Sequence, residues 1–327
     1  MASVELDLST GIELELLLPV GVNRRSLADR LASRFGAELQ PFDQLTKVPL
    51  PQEITSVEDL GERAERLRDL SLAIARHHEA EVARLSSDLA FVFLRHRAFR
   101  LHRGPTELLS IVHDNTIAGG ERVAELVSAP FSREELTFVD ELVAELRSIR
   151  GSDPETSSSG PELPAGAALH VHVDGSRFED PSSVFRLVRN HRAAEPVLRR
   201  LLRTGPSMKR ARPLPAKLEV SLGTLAARGA SFDAVRETIR RHAGSRAYGL
   251  NVFNLAERDP KKLTVELKLA SATLDSGRIR AIRELFVAMV QCALRGDDTG
   301  PASDDDLWLQ RLGLEPELRA VLTEPAT

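Results

Sequence analysis

Glu13 and Glu15 stand two residues apart in Gly11-Ile12-Glu13-Leu14-Glu15-Leu16, where apolar and acidic residues alternate. Read as a strand, the stretch puts Ile12, Leu14 and Leu16 on one face and both carboxylates on the other. At a rise of about 3.3 Å per residue the two acidic Cβ atoms lie roughly 6.6 Å apart, close enough to flank one cation or two adjacent ones. A half-exposed strand with a wet acidic face has the same pattern. Three further segments shift the balance toward chemistry. Leu169-His170-Val171-His172-Val173-Asp174 alternates strictly, with His170, His172 and Asp174 on one face. Val123 to Val127 carries Glu125, and Leu263 to Ala270 sets Glu266 and Lys268 opposite Val265, Leu267 and Leu269. If these strands share one concave sheet, its polar face gathers carboxylates whose mutual repulsion calls for cations. Oxygen donors at that density suit magnesium or manganese better than zinc, although the imidazoles leave zinc open.

The elements that must hold these residues are legible around them. Arg24 to Phe35 carries Leu27, Leu31 and Phe35 at helical spacing and stops at Gly36. Pro41, Pro49 and Pro51 leave room for a loop and at most a short strand, after which Ser56 and Asp59 open a helix reaching Ile74. Leu89 to Leu101 and Thr106 to Val112 read as strands, and Ser132 with Glu135 forms a capping box for a helix through Ile149. A long helix follows from about Ser182 to Leu202, with Pro196 placed to kink or divide it. Then come the basic loop holding Lys209, Arg210 and Arg212, a helix from Ser231 to His242, and strands Ala247 to Leu255 and Leu263 to Ala270 around a turn at Asp259-Pro260. Ile279, Ile282, Leu285, Phe286, Met289, Val290 and Ala293 mark a periodic helix ending at Gly296, and one or two short helices lie around Trp308 and Leu318. The pattern is α+β: a curved, mostly antiparallel sheet with helices packed on one face.

Composition narrows the function classes. With 44 basic against 48 acidic residues and a net charge of −4, no global field draws the chain to nucleic acid or to an anionic membrane. Aromatics at 4% leave few platforms for stacking bases. The single cysteine, Cys292, excludes an intrachain disulfide framework and a Cys-rich zinc module, and its apolar helical setting places it in the core. The opening MASVELDLST has no signal-peptide pattern, and no segment offers 18 uninterrupted apolar residues, so a soluble cytoplasmic protein is expected. Residues 151–165 (GSDPETSSSGPELPA) form the one low-complexity segment. They are read as a flexible surface loop inside a single domain over 1–327, with 297–327 as a helical tail. Neither G-x-x-x-x-G-K-[ST] nor G-x-G-x-x-G occurs, so any nucleotide must be held by metal and side chains.

Five motifs in order complete the reading: G-I-E-L-E, D-N-T followed by E-L-V-S-A-P, L-H-V-H-V-D, R-A-Y-G-L-N, and T-V-E-L-K-L-A-S-A-T-L-D. Over roughly residues 10 to 295 the chain resembles the amidoligase family, within the glutamine synthetase and glutamate-cysteine ligase group of carboxylate-amine ligases. The resemblance implies that group's catalytic fold, ATP with Mg2+ (or Mn2+), and an amide formed through an acyl phosphate on a small-molecule or peptide carboxylate and amine. It implies Glu13 and Glu15 as metal ligands, Glu125 as a further metal or substrate carboxylate, and one of His170 and His172 as a ligand of the metal at the ATP phosphates. Glu266 matches the late metal-binding glutamate. Lys268 stands where arginine is usual, keeping the charge but losing a planar bidentate grip. Arg210 lies where the family often has a serine-arginine pair and, with Lys268, is the expected cation for the transferring phosphoryl group. Arg246 and Asn251 fall in the R-A-Y-G-L-N motif and are expected at the nucleotide, whereas Asp114-Asn115-Thr116 departs from the more usual D-G-S. Two other classes fit parts of the pattern: a zinc hydrolase built on H-V-H-V-D, and a ligase fold kept as a binding module.

Overall fold

The computed structural model describes residues 7–43, 59, 62, 65–66, 97–114, 117, 119, 122–151, 160–208, 211–257, 263–301 and 304–325. Among them are eight strands: β1 (Thr10–Leu17), β2 (Glu38–Asp43), β3 (Arg97–Arg103), β4 (Thr106–Val112), β5 (Val123–Ser128), β6 (Ala168–Asp174), β7 (Leu250–Asn251) and β8 (Thr264–Ser271). Eight α-helices accompany them: α1 (Arg24–Phe35), α2 (Thr137–Ser148), α3 (Pro181–Leu201), α4 (Ala216–Ala227), α5 (Phe232–Ala243), α6 (Ser276–Arg295), α7 (Asp305–Arg311) and α8 (Pro316–Thr323). The mixed helix and antiparallel-sheet composition agrees with the α+β expectation. Contacts divide the chain into two compact units, one of residues 1–14, 130–143 and 165–327, the other of 15–129 and 144–164. The boundary falls within β1, which gives Thr10–Leu14 to the first unit and Glu15–Leu17 to the second.

In the first unit the strand order is β1-β6-β8-β7, with every pairing antiparallel. Glu13 pairs with His170, His172 with Glu266, and Glu266 with Asn251, so the period-two alternation of three strands is in phase. One face is apolar: Ile12, Leu14, Leu169, Val171, Val173, Val265, Leu267 and Leu269 are all buried. Helices α6 and α3 cover it, with α6 packed on β6 and α3 on β8. The opposite face carries the ionisable residues. Arg283 of α6, fully buried, donates from Nε to Thr10 Oγ1 at 3.0 Å and pairs with Glu284, tying the helix to the start of β1.

In the second unit β2-β3-β4-β5 form an antiparallel meander. Helix α1 packs on β3 through an apolar stripe that includes Leu27, Leu31 and Phe35, and it ends as expected at Gly36, whose φ of 57° is the left-handed cap glycine adopts most easily. Pro41 lies inside β2, which is tolerated because β2 pairs on one side with β3.

Several elements differ from the sequence reading. The strand expected over Ala247 to Leu255 shrinks to Leu250–Asn251, followed by a 3-10 turn over Phe253–Ala256. Its cause is local: Asn251 Oδ1 accepts the Phe253 N–H at 2.9 Å and bends the backbone out of the ladder. Helix α4, between Pro215 and Arg228, was not anticipated. Its interior Gly223 is explained by packing, since a Cβ there would lie 3.0 Å from the Phe185 ring. Helix α3 runs through Pro196 without a break, and the Ser132–Glu135 capping box closes on a 3-10 turn that precedes α2. Strand β3 starts at Arg97; residues 89–96, most of the helix expected from Ser56 to Ile74, and the turn at Asp259-Pro260 lie outside the described residues. Among the described residues no helix is long and apolar enough to cross a membrane.

Candidate active site

The polar face of the first unit gathers around two carboxylates. His170 Nδ1 lies 2.9 Å from Glu13 Oε2 and 3.5 Å from Glu266 Oε1. His172 Nε2 lies 3.1 Å from Glu13 Oε1 and 3.4 Å from Glu266 Oε1. Lys268 Nζ pairs with the same Glu266 Oε1, while Glu266 Oε2 accepts from Asn251 Nδ2 at 2.7 Å. Behind His172, Nδ1 meets Thr264 Oγ1 at 3.3 Å, and that hydroxyl accepts from Asn254 Nδ2 at 2.9 Å. This is not a wet strand face. Glu266, Lys268, His170 and Asn251 are buried, and the side chains of Glu13 (21% exposed) and His172 (20%) reach solvent only in part.

Burying these charges would push them toward their neutral forms, and their neighbours overcome it. Burial works to raise the pKa of Glu13, but the charge of His172 and the contacts of both imidazoles hold its carboxyl well below the ordinary range. For Glu266 the same opposition, of burial against His172 and Lys268, leaves the carboxyl lowered. On His172 burial favours the neutral ring, and the two carboxylates outweigh it and raise the imidazole above its usual value. Both acids are therefore ionised, and cationic groups of the protein hold them in place.

The second unit contains a different set. Glu15, Asp114 and Glu125 are all buried, and one oxygen of each lies within 4.8 Å of the others. Strand pairing produces this, because Glu125 of β5 stands opposite Val112 of β4, two residues before Asp114. Three carboxylates this close repel one another, and a cation among them would relieve that repulsion.

Both donor sets fit a divalent ion. Glu13, His172 and Glu266 each offer a ligand atom within 4.8 Å of the other two. In the structure Lys268 Nζ pairs with Glu266 Oε1 and His172 Nε2 lies 3.1 Å from Glu13 Oε1, so an ion bound there would compete with contacts the protein itself supplies. This mixed nitrogen and oxygen set suits manganese, magnesium or zinc, and the all-oxygen set of Glu15, Asp114 and Glu125 suits magnesium or manganese.

The residues singled out in the sequence divide accordingly. Glu13, His170, His172, Glu266, Lys268 and Asn251 come together in the first unit, and Glu15 and Glu125 in the second. Arg246 is not brought to the cluster: its half-exposed guanidinium pairs with Glu257 at 2.5 Å. Asp275, in the last motif, caps α6, its Oδ1 accepting from the Arg278 N–H at 3.1 Å. Arg210, with Asn115 and Thr116, lies outside the described residues. Sequence reasoning gave no role to Asp114, Thr264 or Asn254. Asp114 had a usable signal, two residues beyond a strand on the parity of that strand's polar face, whereas the contact of Asn254 depends on a turn that periodicity does not show.

Comparison with known proteins agrees with the motif order. The sequence profile of the family described as "Putative amidoligase enzyme" matches residues 6–290, a span that includes every residue of both clusters. No curated protein matches the chain. A match of that extent makes the protein a member of the amidoligase family, a family of ligase-type enzymes.

Proposed function

We propose that this protein is an ATP- and Mg2+-dependent carboxylate-amine ligase. The observation that carries the reading is the convergence of Glu13, His172 and Glu266, whose ligand atoms lie within 4.8 Å of one another on a face that also holds Lys268. When bound there, divalent ions would neutralise the triphosphate and the charge developing during phosphoryl transfer. The chain's own residues do the rest. Glu13 and Glu266, kept ionised, supply the oxygen donors. Lys268, fixed against Glu266, holds a positive charge beside them, and Asn251 pins the far oxygen of Glu266.

The reaction is a substrate carboxylate oxygen attacking the γ-phosphorus of ATP, with ADP leaving, to give an acyl phosphate. An amine then attacks the acyl carbon, phosphate departs, and the nitrogen loses a proton to give the amide. The carboxylate and amine are taken to be small molecules or peptide groups, and the cytoplasm, where ATP and Mg2+ abound, is the proposed location. A zinc hydrolase has one observation in its favour, the two imidazoles beside Glu13.

Thermal unfolding separates these readings. The ligase reading predicts a rise in Tm with Mg2+ and ATP together that exceeds the rise with either alone. A rise with zinc alone, unaltered by nucleotide, would favour the hydrolase, and no rise under any condition would leave a binding module.

A further inference from the structure

Helix α6, which covers the apolar face of the sheet, also borders a groove of its own. Glu284, Val287, Ala288 and Gln291, at i, i+3, i+4 and i+7, share one face of the helix and form one wall. The turn between α7 and α8 supplies the other, where Gly313, at a φ of 85°, reverses the chain between Leu312 and Leu314 and leaves both buried. Arg133, from the 3-10 turn before α2, completes the lining. The cavity measures about 270 Å3, small for a ligand pocket. Its second wall lies beyond residue 290, where the family match ends, so the groove is made by this chain's own tail and not by the matched motifs.

Two guanidiniums line the groove, and they differ. Arg295 is answered within the chain, its Nε bonding Asp297 at 3.0 Å and an Nη donating to Cys292 Sγ at 3.3 Å. Arg133 Nε stands 4.0 Å from Glu284 Oε1, beyond hydrogen-bond reach. Opposite charges held at that separation match a ligand with a carboxylate and an ammonium on neighbouring atoms. The carboxylate accepts from Arg133, and the ammonium donates to Glu284. Past this pair the walls turn apolar, with Val287, Leu314 and Leu318, which suits an aliphatic body and disfavours a second charge. A free α-amino acid carries its groups in this order, with one carbon between carboxylate and ammonium.

We infer that this groove is a binding site for a free aliphatic α-amino acid, its carboxylate on Arg133, its ammonium on Glu284 and its side chain along Val287, Leu314 and Leu318. The inference goes beyond the proposed function and does not rest on it.

The test is calorimetric titration of L-leucine into the full chain, with neither nucleotide nor metal present. Leucine should bind with a Kd below about 1 mM. Leucinamide, which lacks the carboxylate, and isocaproate, which lacks the ammonium, should each bind at least about ten-fold more weakly. Arg133→Gln removes the guanidinium and Ala288→Leu fills the groove, and each should weaken leucine by about ten-fold or more. Arg133 is exposed and Ala288 only half-buried, whereas Glu284 also holds the buried Arg283 and is left intact. In the wild-type protein leucine should shift the methyl NMR signals of Val287, Leu314 and Leu318, a reading that needs no variant. No binding at about 10 mM leucine overturns the inference. So does equal binding of leucinamide or isocaproate, wild-type affinity in both variants, or binding that leaves those methyl signals unmoved. With ATP and Mg2+ absent from the experiment, each of these outcomes leaves the ligase reading as it stands.

Discussion

His191 of α3 shows how a buried titratable group acts when nothing offsets its burial. It is fully enclosed, neither ring nitrogen has a hydrogen-bond partner, and burial together with the charges of Arg199 and Arg192 lowers its pKa to about 3. An unfolded chain takes up this proton near pH 6.5, whereas the folded chain does so only near 3. The stability contributed by the neutral ring is therefore present above about pH 6.5 and is lost as the pH falls toward 3, at about 1.4 kcal/mol per pH unit. His191→Leu should flatten the acid limb of the stability curve by up to one proton's worth, measured by urea unfolding between pH 4 and 7, and an unchanged limb would contradict this. His172 is partly buried and faces two carboxylates, and its pKa moves the other way. Sequence alone does not separate the two. His172 had a period-two signal that placed it on an acidic face, whereas His191 sits in a helix where only tertiary packing decides its neighbours. Glu13, His170, Glu266 and Lys268 were legible for the same reason as His172: alternation in strands fixes which side chains share a face before the fold is known. The contacts of Thr264 were not, because they depend on a hydroxyl's place between an imidazole and an amide.

At the scale of elements, strands and helices with strong periodicity agree closely with the structure, and the differences lie where a single side chain redirects the backbone. Strand β7 is short because the Asn251 side chain competes for the Phe253 N–H, and that same bend carries Asn254 to Thr264. Helix α4 escaped notice because prolines precede it and Gly223 interrupts it, although Gly223 is the residue that admits the Phe185 ring. Helix α3 tests the opposite case. Pro196, exposed in its interior, removes a backbone donor and crowds the preceding turn, yet the helix continues, held by buried Val184, Leu187, Val188, Leu198 and Leu201. Tertiary burial has overridden a local penalty. Pro196→Ala should therefore stabilise the protein by about 1–3 kcal/mol, read from the shift in denaturation midpoint, and a lower midpoint would show that the proline has a role beyond that of a tolerated defect.

For the whole molecule, family membership and the donor sets support the same proposal for a chain whose composition alone offers no partner. Its net charge of −4 supplies no field to attract polyanions, so the proposed nucleotide affinity would have to come from local cations. On the proposed reading, ATP and Mg2+ would bind as a coupled pair, each raising the affinity for the other by the same factor. Glu13 is the residue on which to test this, because it faces both imidazoles and is the most exposed acid of its cluster, so its replacement is the least damaging to the fold. The measurement is calorimetric titration of ATP into wild-type protein and Glu13→Gln, each with Mg2+ and with chelator. Wild-type protein should bind ATP at least about ten-fold more tightly with Mg2+ than without, and Glu13→Gln should lose most of that difference. Equal affinity with and without Mg2+ in the wild-type protein, or a Mg2+ effect untouched by Glu13→Gln, would contradict the account.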